Sequence, residues 1–146
     1  MSILQKLTKG LLREENLALI GTSDSGKTHF VKRELIPELE KNGKKVAYFK
    51  DGSSITDQEA DVYIFDEVES FCDREYLEEK YPEEKPYYTD EYERKVKGWF
   101  WNYKKHDKSC LYIITRKNKE DVNYLENHLR WADWDDRKLE AFAFND

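Results

Sequence analysis

Five short apolar segments constrain the fold of this 146-residue chain more than any other feature. Most of them are apolar at every position, which is typical of strands that are buried on both faces of a sheet. The segments between them have helical periodicity, and strands that alternate with helices favour a parallel sheet. We therefore predict an α/β fold, a three-layer α/β/α sandwich with a mainly parallel five-stranded sheet. The predicted strands are residues 17–20, 46–49, 61–65, 110–114 and 138–144.

The chain is predicted to form one domain over residues 1–146, because this length supports a single core and no repeat or linker divides it. Apolar spacing predicts helices over 3–15, after Lys27, after Thr89 and over 120–131. Pro37 predicts that the helix begun at Lys27 kinks or ends nearby. A charged, aromatic insertion is expected at about 68–107, with its first part irregular or partly helical.

One segment between the first predicted strand and the following helix matches the pattern G-x-x-x-x-G-K-[ST] in full. Glycines let the backbone curl so that successive N–H groups point at phosphate oxygens, and the helix that follows adds the positive end of its dipole. In such a segment the lysine reaches the β- and γ-phosphates and the hydroxyl ligates Mg²⁺. The candidate nucleotide-binding residues are Gly21, Thr22, Ser23, Asp24, Ser25, Gly26, Lys27, Thr28 and, directly after them, His29.

With this motif the chain resembles the P-loop NTPase superfamily. The apolar strand that ends in Asp66 and Glu67 resembles the second mark of the superfamily, the Walker B element. The resemblance implies that Asp66, with Thr28, holds Mg²⁺. It also implies that Glu67 is the catalytic glutamate of the additional-strand division (the AAA+ and RecA-like groups), where this residue polarises the attacking water.

Thr115, at the end of the fourth predicted strand, corresponds in this resemblance to a polar residue that senses the γ-phosphate. The resemblance further implies the sheet order 5-1-4-3-2 and catalytic roles for Glu67, Lys27 and Thr115. Asp24 departs from the family pattern, because many members have glycine there. We also expect no helical lid domain, so the resemblance covers only a minimal core.

The charges of the insertion region are segregated along the chain. From residue 66 to 93 there are twelve acidic and three basic residues, whereas from 94 to 119 there are nine basic residues and one acidic residue. Aromatic residues interleave the basic segment, and cations between aromatics can form a platform for single-stranded nucleic acid. The alternative is that the aromatic face packs on the sheet while the lysines pair with the acidic half. If nucleic acid binds here, Lys97 and Trp101 are the best candidates for contact.

The sequence therefore predicts an ATP-binding protein, a Mg²⁺-dependent ATPase that couples hydrolysis to a macromolecular partner. The expected cofactors are ATP and Mg²⁺. A protein partner, a nucleic acid bound by 94–119 and assembly into a homo-oligomer are further expectations. Two alternatives stay open: a P-loop kinase of a nucleotide or small molecule, and a nucleotide-gated interaction module without catalysis.

Composition limits the other classes of protein. The two cysteines and three histidines lack the spacing of a metal site or a disulfide framework. No apolar run approaches the length that spans a bilayer, and the amino terminus lacks the pattern of a secretory signal. We therefore expect a cytoplasmic protein that does not associate with membranes. The net charge of −6 argues against a domain that coats nucleic acid through its overall charge.

Overall fold

Five parallel strands form one sheet in the described part of the computed structural model. The strands are β1 (Asn16–Ile20), β2 (Val46–Phe49), β3 (Val62–Phe65), β4 (Ser109–Ile114) and β5 (Leu139–Ala143). They lie in the order β2-β3-β4-β1-β5, which is 5-1-4-3-2 when read from the β5 edge. The predicted α/β class with a parallel five-stranded sheet is therefore confirmed. The structure describes residues 1–21, 26–50, 54, 56, 58–67, 74–102, 108–114, 123 and 139–144.

The strand register aligns the carboxyl ends of the strands at one edge of the sheet. At the centre, Ile20 of β1 lies opposite Ile114 of β4 and Ala143 of β5. On the other side of β4, Phe65 of β3 lies opposite Phe49 of β2. Ligands of open α/β sheets bind at this edge, so the residues that follow the strands are the ones to examine for function.

One face of the sheet is covered by α1 (Ile3–Leu11) and by a helical segment of three parts. These parts are α2 (Lys27–Phe30), a π-helical turn (Val31–Leu35) and α3 (Ile36–Lys41). Buried leucines of the helices interdigitate with apolar side chains of β1, β3 and β4. The shared core consists of Leu7, Leu11, Leu17, Leu19, Phe30, Val31, Leu35, Leu39, Val62, Ile64, Leu111 and Ile113.

The opposite face of the sheet carries stacked aromatic rings. Phe65 lies with its ring centre 5.5 Å from that of Phe49 and 5.5 Å from that of Tyr112, and both pairs are stacked. Tyr63 stacks beside Phe49 and Phe65, at 6.4 Å from each. All four rings are buried. Aromatic pairs at these distances add to the free energy of burial, so β2, β3 and β4 are joined by ring packing as well as by their hydrogen bonds.

Of the two outcomes predicted at Pro37, a kink or an end of the helix, the end is wrong. The helical path continues through the proline to Lys41. Just before the proline, the Ile36 N–H donates to the Val31 carbonyl five residues back instead of four. A proline tends to break a helix because it lacks an N–H and its ring crowds the carbonyl four residues earlier. Here the widened turn already shifts the hydrogen-bond ladder, and the buried leucines hold the helix on the sheet.

The described part of the 68–107 insertion is helical. It consists of α4 (Arg74–Lys80), a 3₁₀ turn (Pro82–Tyr87) and α5 (Asp90–Asn102). The predicted helix after Thr89 is confirmed, and the Thr89 hydroxyl caps it by accepting a 3.2 Å hydrogen bond from the Tyr92 N–H. The predicted helix over 120–131 lies outside the described residues except at position 123. Among the helices that are described, none is long and apolar enough to cross a membrane.

Candidate functional site

The two sequence motifs meet at the carboxyl edge of the sheet. Gly21 follows β1 directly, and Lys27 and Thr28 begin α2. Asp66 and Glu67 follow β3, which β4 separates from β1. Parallel strands bring their carboxyl ends to one edge, so segments that are 38 residues apart in sequence can contact each other here.

Gly26 begins the helix in a left-handed backbone conformation, with φ of 89° and ψ of 14°. Its carbonyl accepts the first helical hydrogen bond, from Phe30 N–H at 2.9 Å. A Cβ at this position would meet nothing within 4 Å. The requirement for glycine therefore comes from the backbone angle and not from crowding.

Lys27 is the buried cation of the site, with only 2% of its surface exposed. Its ammonium group donates a 2.8 Å hydrogen bond to the carbonyl of Gly21. Burying an ammonium group is costly unless hydrogen bonds replace its water. The fold therefore holds this charge at the edge where β1 ends, beside the segment that the motif assigns to phosphate.

Asp66 is the buried anion of the site, with 3% of its surface exposed. Its Oδ2 accepts a 2.8 Å hydrogen bond from Thr28 Oγ1, and its Oδ1 accepts one of 2.8 Å from the backbone N–H of Glu67. The Asp66 N–H donates to Phe49 O at 2.9 Å, which extends the β2–β3 pairing by one residue. These bonds fix both the backbone and the carboxylate of Asp66.

Tyr48 is the site residue that the sequence analysis missed. It lies on β2, and its hydroxyl donates to the same Asp66 Oδ2 that Thr28 contacts. Burial, followed by the hydrogen bond to Asp66, raises the pKa of Tyr48 above its usual range, so the hydroxyl is protonated and donates at neutral pH. The Lys32 ammonium lies 5.0 Å from the centre of the Tyr48 ring. One feature of the sequence could have indicated this role. Tyr48 is a polar aromatic residue one position before the end of β2, and β2 pairs with β3, the strand that leads to Asp66.

Glu67 is exposed and has a positive φ of 47°. A non-glycine residue in this region costs roughly 1–2 kcal/mol, so the surrounding structure must compensate. The backbone N–H of Glu67 donates to Asp66 and thereby contributes to that compensation. The strained residue is therefore the one to which the resemblance gives the catalytic role, and such strain is common at functional sites.

Five of the predicted site residues lie outside the described residues: Thr22, Ser23, Asp24, Ser25 and Thr115. His29 is exposed on α2, next to Thr28. Of the remaining candidates, direct hydrogen bonds join Gly21 to Lys27 and Thr28 to Asp66. The structure thus brings together the lysine, hydroxyl and carboxylate of the two motifs at one edge.

The donor set of Thr28 and Asp66 fits Mg²⁺. Both atoms are hard oxygens, and Mg²⁺ is bound by one or two such protein ligands together with water and substrate phosphates. A dedicated cage of three or more His, Cys, Asp or Glu side chains does not occur among the described residues. The pair therefore suits a metal ion that arrives with a phosphate ligand better than one held by the protein alone.

No protein-family model, curated protein or solved structure matches this chain. The interpretation of the site consequently depends on its residues and their geometry.

Two lysines of the basic segment pair with residues of the acidic segment before it. Lys97 Nζ lies 2.7 Å from Glu93 Oε1, and Lys95 Nζ lies 3.8 Å from Glu91 Oε1, one helical turn earlier. The predicted pairing of lysines with the acidic half is confirmed for these two. Trp101, the other candidate for contact with nucleic acid, has a side chain outside the described residues.

Proposed function

We propose that this chain is a P-loop ATPase that binds MgATP at the carboxyl edge of its sheet and couples hydrolysis to a macromolecular partner. The observation that carries the proposal is the 2.8 Å hydrogen bond between Thr28 Oγ1 and Asp66 Oδ2. It joins the hydroxyl of one motif to the carboxylate of the other. A glycine turn with no nucleotide role would not require a buried lysine and a buried aspartate to converge at the same edge.

The topology gives independent support. In the additional-strand division that the sequence resembles, a further strand separates the P-loop strand from the Walker B strand. Here β4 lies between β1, which leads into Gly21, and β3, which ends before Asp66. The polar candidate Thr115 follows β4 in sequence.

The proposed roles follow from the chemistry of the side chains. Lys27 neutralises the β- and γ-phosphates, and the N–H groups of the Gly21–Gly26 segment hold their oxygens. Thr28 and Asp66 would hold Mg²⁺, which supplies positive charge against the phosphate oxygens when it is bound. Glu67, exposed beside them, orients and polarises the attacking water. The segment 116–119 lacks the acid of a guanine-reading motif, which favours ATP over GTP.

The test combines a fluorescent ATP-binding assay with ATP turnover in Mg²⁺. Lys27→Met should weaken binding by about 30- to 100-fold, the loss expected for a charge-assisted contact. Glu67→Gln should still bind ATP but lose turnover by about 10²- to 10⁴-fold, as for removal of a general base. The matched controls are Lys41→Met, on an exposed part of α3, and Glu59→Gln, exposed before β3. Both controls should behave as wild type.

Three results would overturn parts of the proposal. Wild-type protein that does not bind ATP would exclude the site altogether. Turnover that is negligible in the wild type and unchanged in Glu67→Gln would leave a nucleotide-gated binding module, and phosphoryl transfer to an acceptor panel would make the protein a kinase. Turnover is also measured with single-stranded DNA, since stimulation would identify the class of partner.

A further inference from the structure

Tyr48 contacts the candidate site from a strand that neither motif includes. Its hydroxyl donates to Asp66 Oδ2, the atom that also accepts from Thr28. The side chain is half-buried on the helical face of the sheet, where it packs against the core beneath α2 and α3. The contact is therefore built into the packing of β2 and not made by a surface side chain.

The hydrogen bonds of Asp66 divide unequally between its two oxygens. A carboxylate offers about four lone-pair positions, two on each oxygen. Among the described residues, Thr28 and Tyr48 donate to Oδ2, whereas the Glu67 N–H donates to Oδ1. These described donors fill the Oδ2 positions and leave one position on Oδ1 without a described donor, so the Tyr48 hydroxyl biases the carboxylate toward presenting Oδ1.

We propose that Tyr48 is a positioning residue that orients the Asp66 carboxylate and thereby sets the affinity of the nucleotide site for Mg²⁺. This inference rests on the proposed nucleotide-binding function. Tyr48 acts through Asp66 and not on the metal, in the way that hydrogen-bond partners of metal ligands elsewhere fix the orientation and basicity of those ligands. Loss of such a partner typically weakens metal affinity by about 10- to 100-fold.

The ring of Tyr48 is itself held in place. Lys32, in the π-helical turn, lies 5.0 Å from its ring centre, a distance at which a cation is attracted to the aromatic face. The ring thus lies between β2 and the helix that begins with Lys27 and Thr28. Tyr48→Phe keeps the ring and its packing and removes only the hydroxyl.

The experiment measures Mn²⁺, used in place of Mg²⁺, by electron paramagnetic resonance in the presence of ADP. Tyr48→Phe should raise the Mn²⁺ dissociation constant about tenfold, whereas ADP affinity in EDTA should stay at the wild-type value. The matched control is Tyr63→Phe on β3. The Tyr63 hydroxyl donates to Gln58 O at 2.8 Å and accepts from Ala60 N–H at 3.1 Å, away from the carboxylate. Its removal should leave Mn²⁺ affinity unchanged.

A double-variant cycle tests whether Tyr48 acts through Asp66. In an Asp66→Asn background, Tyr48→Phe should change the Mn²⁺ dissociation constant less than about twofold, because the partner is already altered. A further tenfold change in that background would overturn the inference, as would wild-type Mn²⁺ affinity in Tyr48→Phe alone. Wild-type protein that binds no ADP would instead overturn the proposed function and the inference with it. Circular dichroism of each variant at the assay temperature confirms that it is folded.

Discussion

Thr28 Oγ1 and Asp66 Oδ2 lie 2.8 Å apart, although 38 residues separate them in sequence. The hydroxyl begins a helix and is exposed, whereas the carboxylate ends a strand and is buried. The bond therefore connects the solvent-facing side of the site to its interior. Because Thr28 donates this bond to the buried Asp66 carboxylate, the free energy of unfolding depends on Thr28, which the proposal also assigns to Mg²⁺.

Thr28→Val is expected to destabilise the fold and to abolish metal-dependent nucleotide binding. Valine preserves the shape of threonine but removes a donor to a buried charge, which costs about 1.5–3 kcal/mol. Thr28→Ser keeps the hydroxyl and should retain both properties. Urea unfolding and Mg²⁺-dependent binding of fluorescent ATP measure the two effects. Equal stability of the valine and serine variants would contradict the role of this bond.

Gly26→Ala is expected to lose stability and nucleotide affinity together, whereas Gly43→Ala should lose stability alone. Both glycines have positive φ, 89° and 79°, and at both a Cβ would meet nothing within 4 Å. Each alanine therefore costs roughly 1–2 kcal/mol of backbone strain. Only Gly26 lies in the nucleotide motif, because Gly43 terminates α3. Thermal unfolding and ATP binding of the two variants separate the effects. Tight binding by Gly26→Ala would argue against this loop as the phosphate site.

Glu67→Gly is expected to abolish turnover without destabilising the fold. Glycine relieves a left-handed backbone that costs roughly 1–2 kcal/mol, and its own flexibility offsets about 0.5–1 kcal/mol of that gain. Glu14→Gly is the matched control, since Glu14 also has a positive φ, of 60°, in the turn after α1. Both variants should match or exceed the wild-type free energy of unfolding. Only the Glu67 variant should lose ATP turnover, and loss in both would contradict a specific role for Glu67.

The helical insertion should lose stability as the pH falls below about 4.5. The hydrogen bond and charge of Lys97 lower the pKa of Glu93 from its ordinary value of 4.5, with a further contribution from Arg74. A carboxyl group with a lowered folded-state pKa stabilises the fold above its unfolded pKa, and this contribution is lost as the pH falls through the folded value. Glu93→Gln should therefore reduce stability at pH 7 but show a smaller decrease between pH 5 and pH 3. Chemical denaturation across that range measures the difference, which should shrink at high salt because the Glu93 side chain is partly exposed.

Local chemistry in the sequence predicted much of the fold. A glycine in the short polar turn after a helix indicates a helix end, and Gly43 has a positive φ of 79° and a 2.9 Å bond from its N–H to the carbonyl of Glu40. The helix after Thr89 begins in the same local way, because a hydroxyl before acidic residues marks a helix start. The encounter of Thr28 with Asp66 was implied by the resemblance, since both motifs follow parallel strands.

Two features depend on tertiary packing and could not be predicted from the neighbouring residues in the sequence. The helix passes Pro37 because the sheet beneath it stabilises a π-helical turn, which no residue of that segment specifies alone. Tyr48 reaches Asp66 only because β2 pairs with β3 in the register that places Phe49 opposite Phe65. A shift of one residue would turn Tyr48 to the other face of the sheet.

The π-helical turn also controls the direction in which Lys27 points. Buried side chains recur at intervals of four along this helix, at Lys27, Val31, Leu35 and Leu39. An α-helix turns about 100° per residue, so each interval of four would advance the buried position by roughly 40° around the axis. The wider turn reduces that drift and keeps the lysine in phase with the leucines. Winding 31–35 as a regular α-helix at unchanged length would restore that drift, which adds up to about 120° between Lys27 and Leu39 over three intervals of four. The winding of this segment is therefore as important to the orientation of Lys27 as the sheet on which the helix packs.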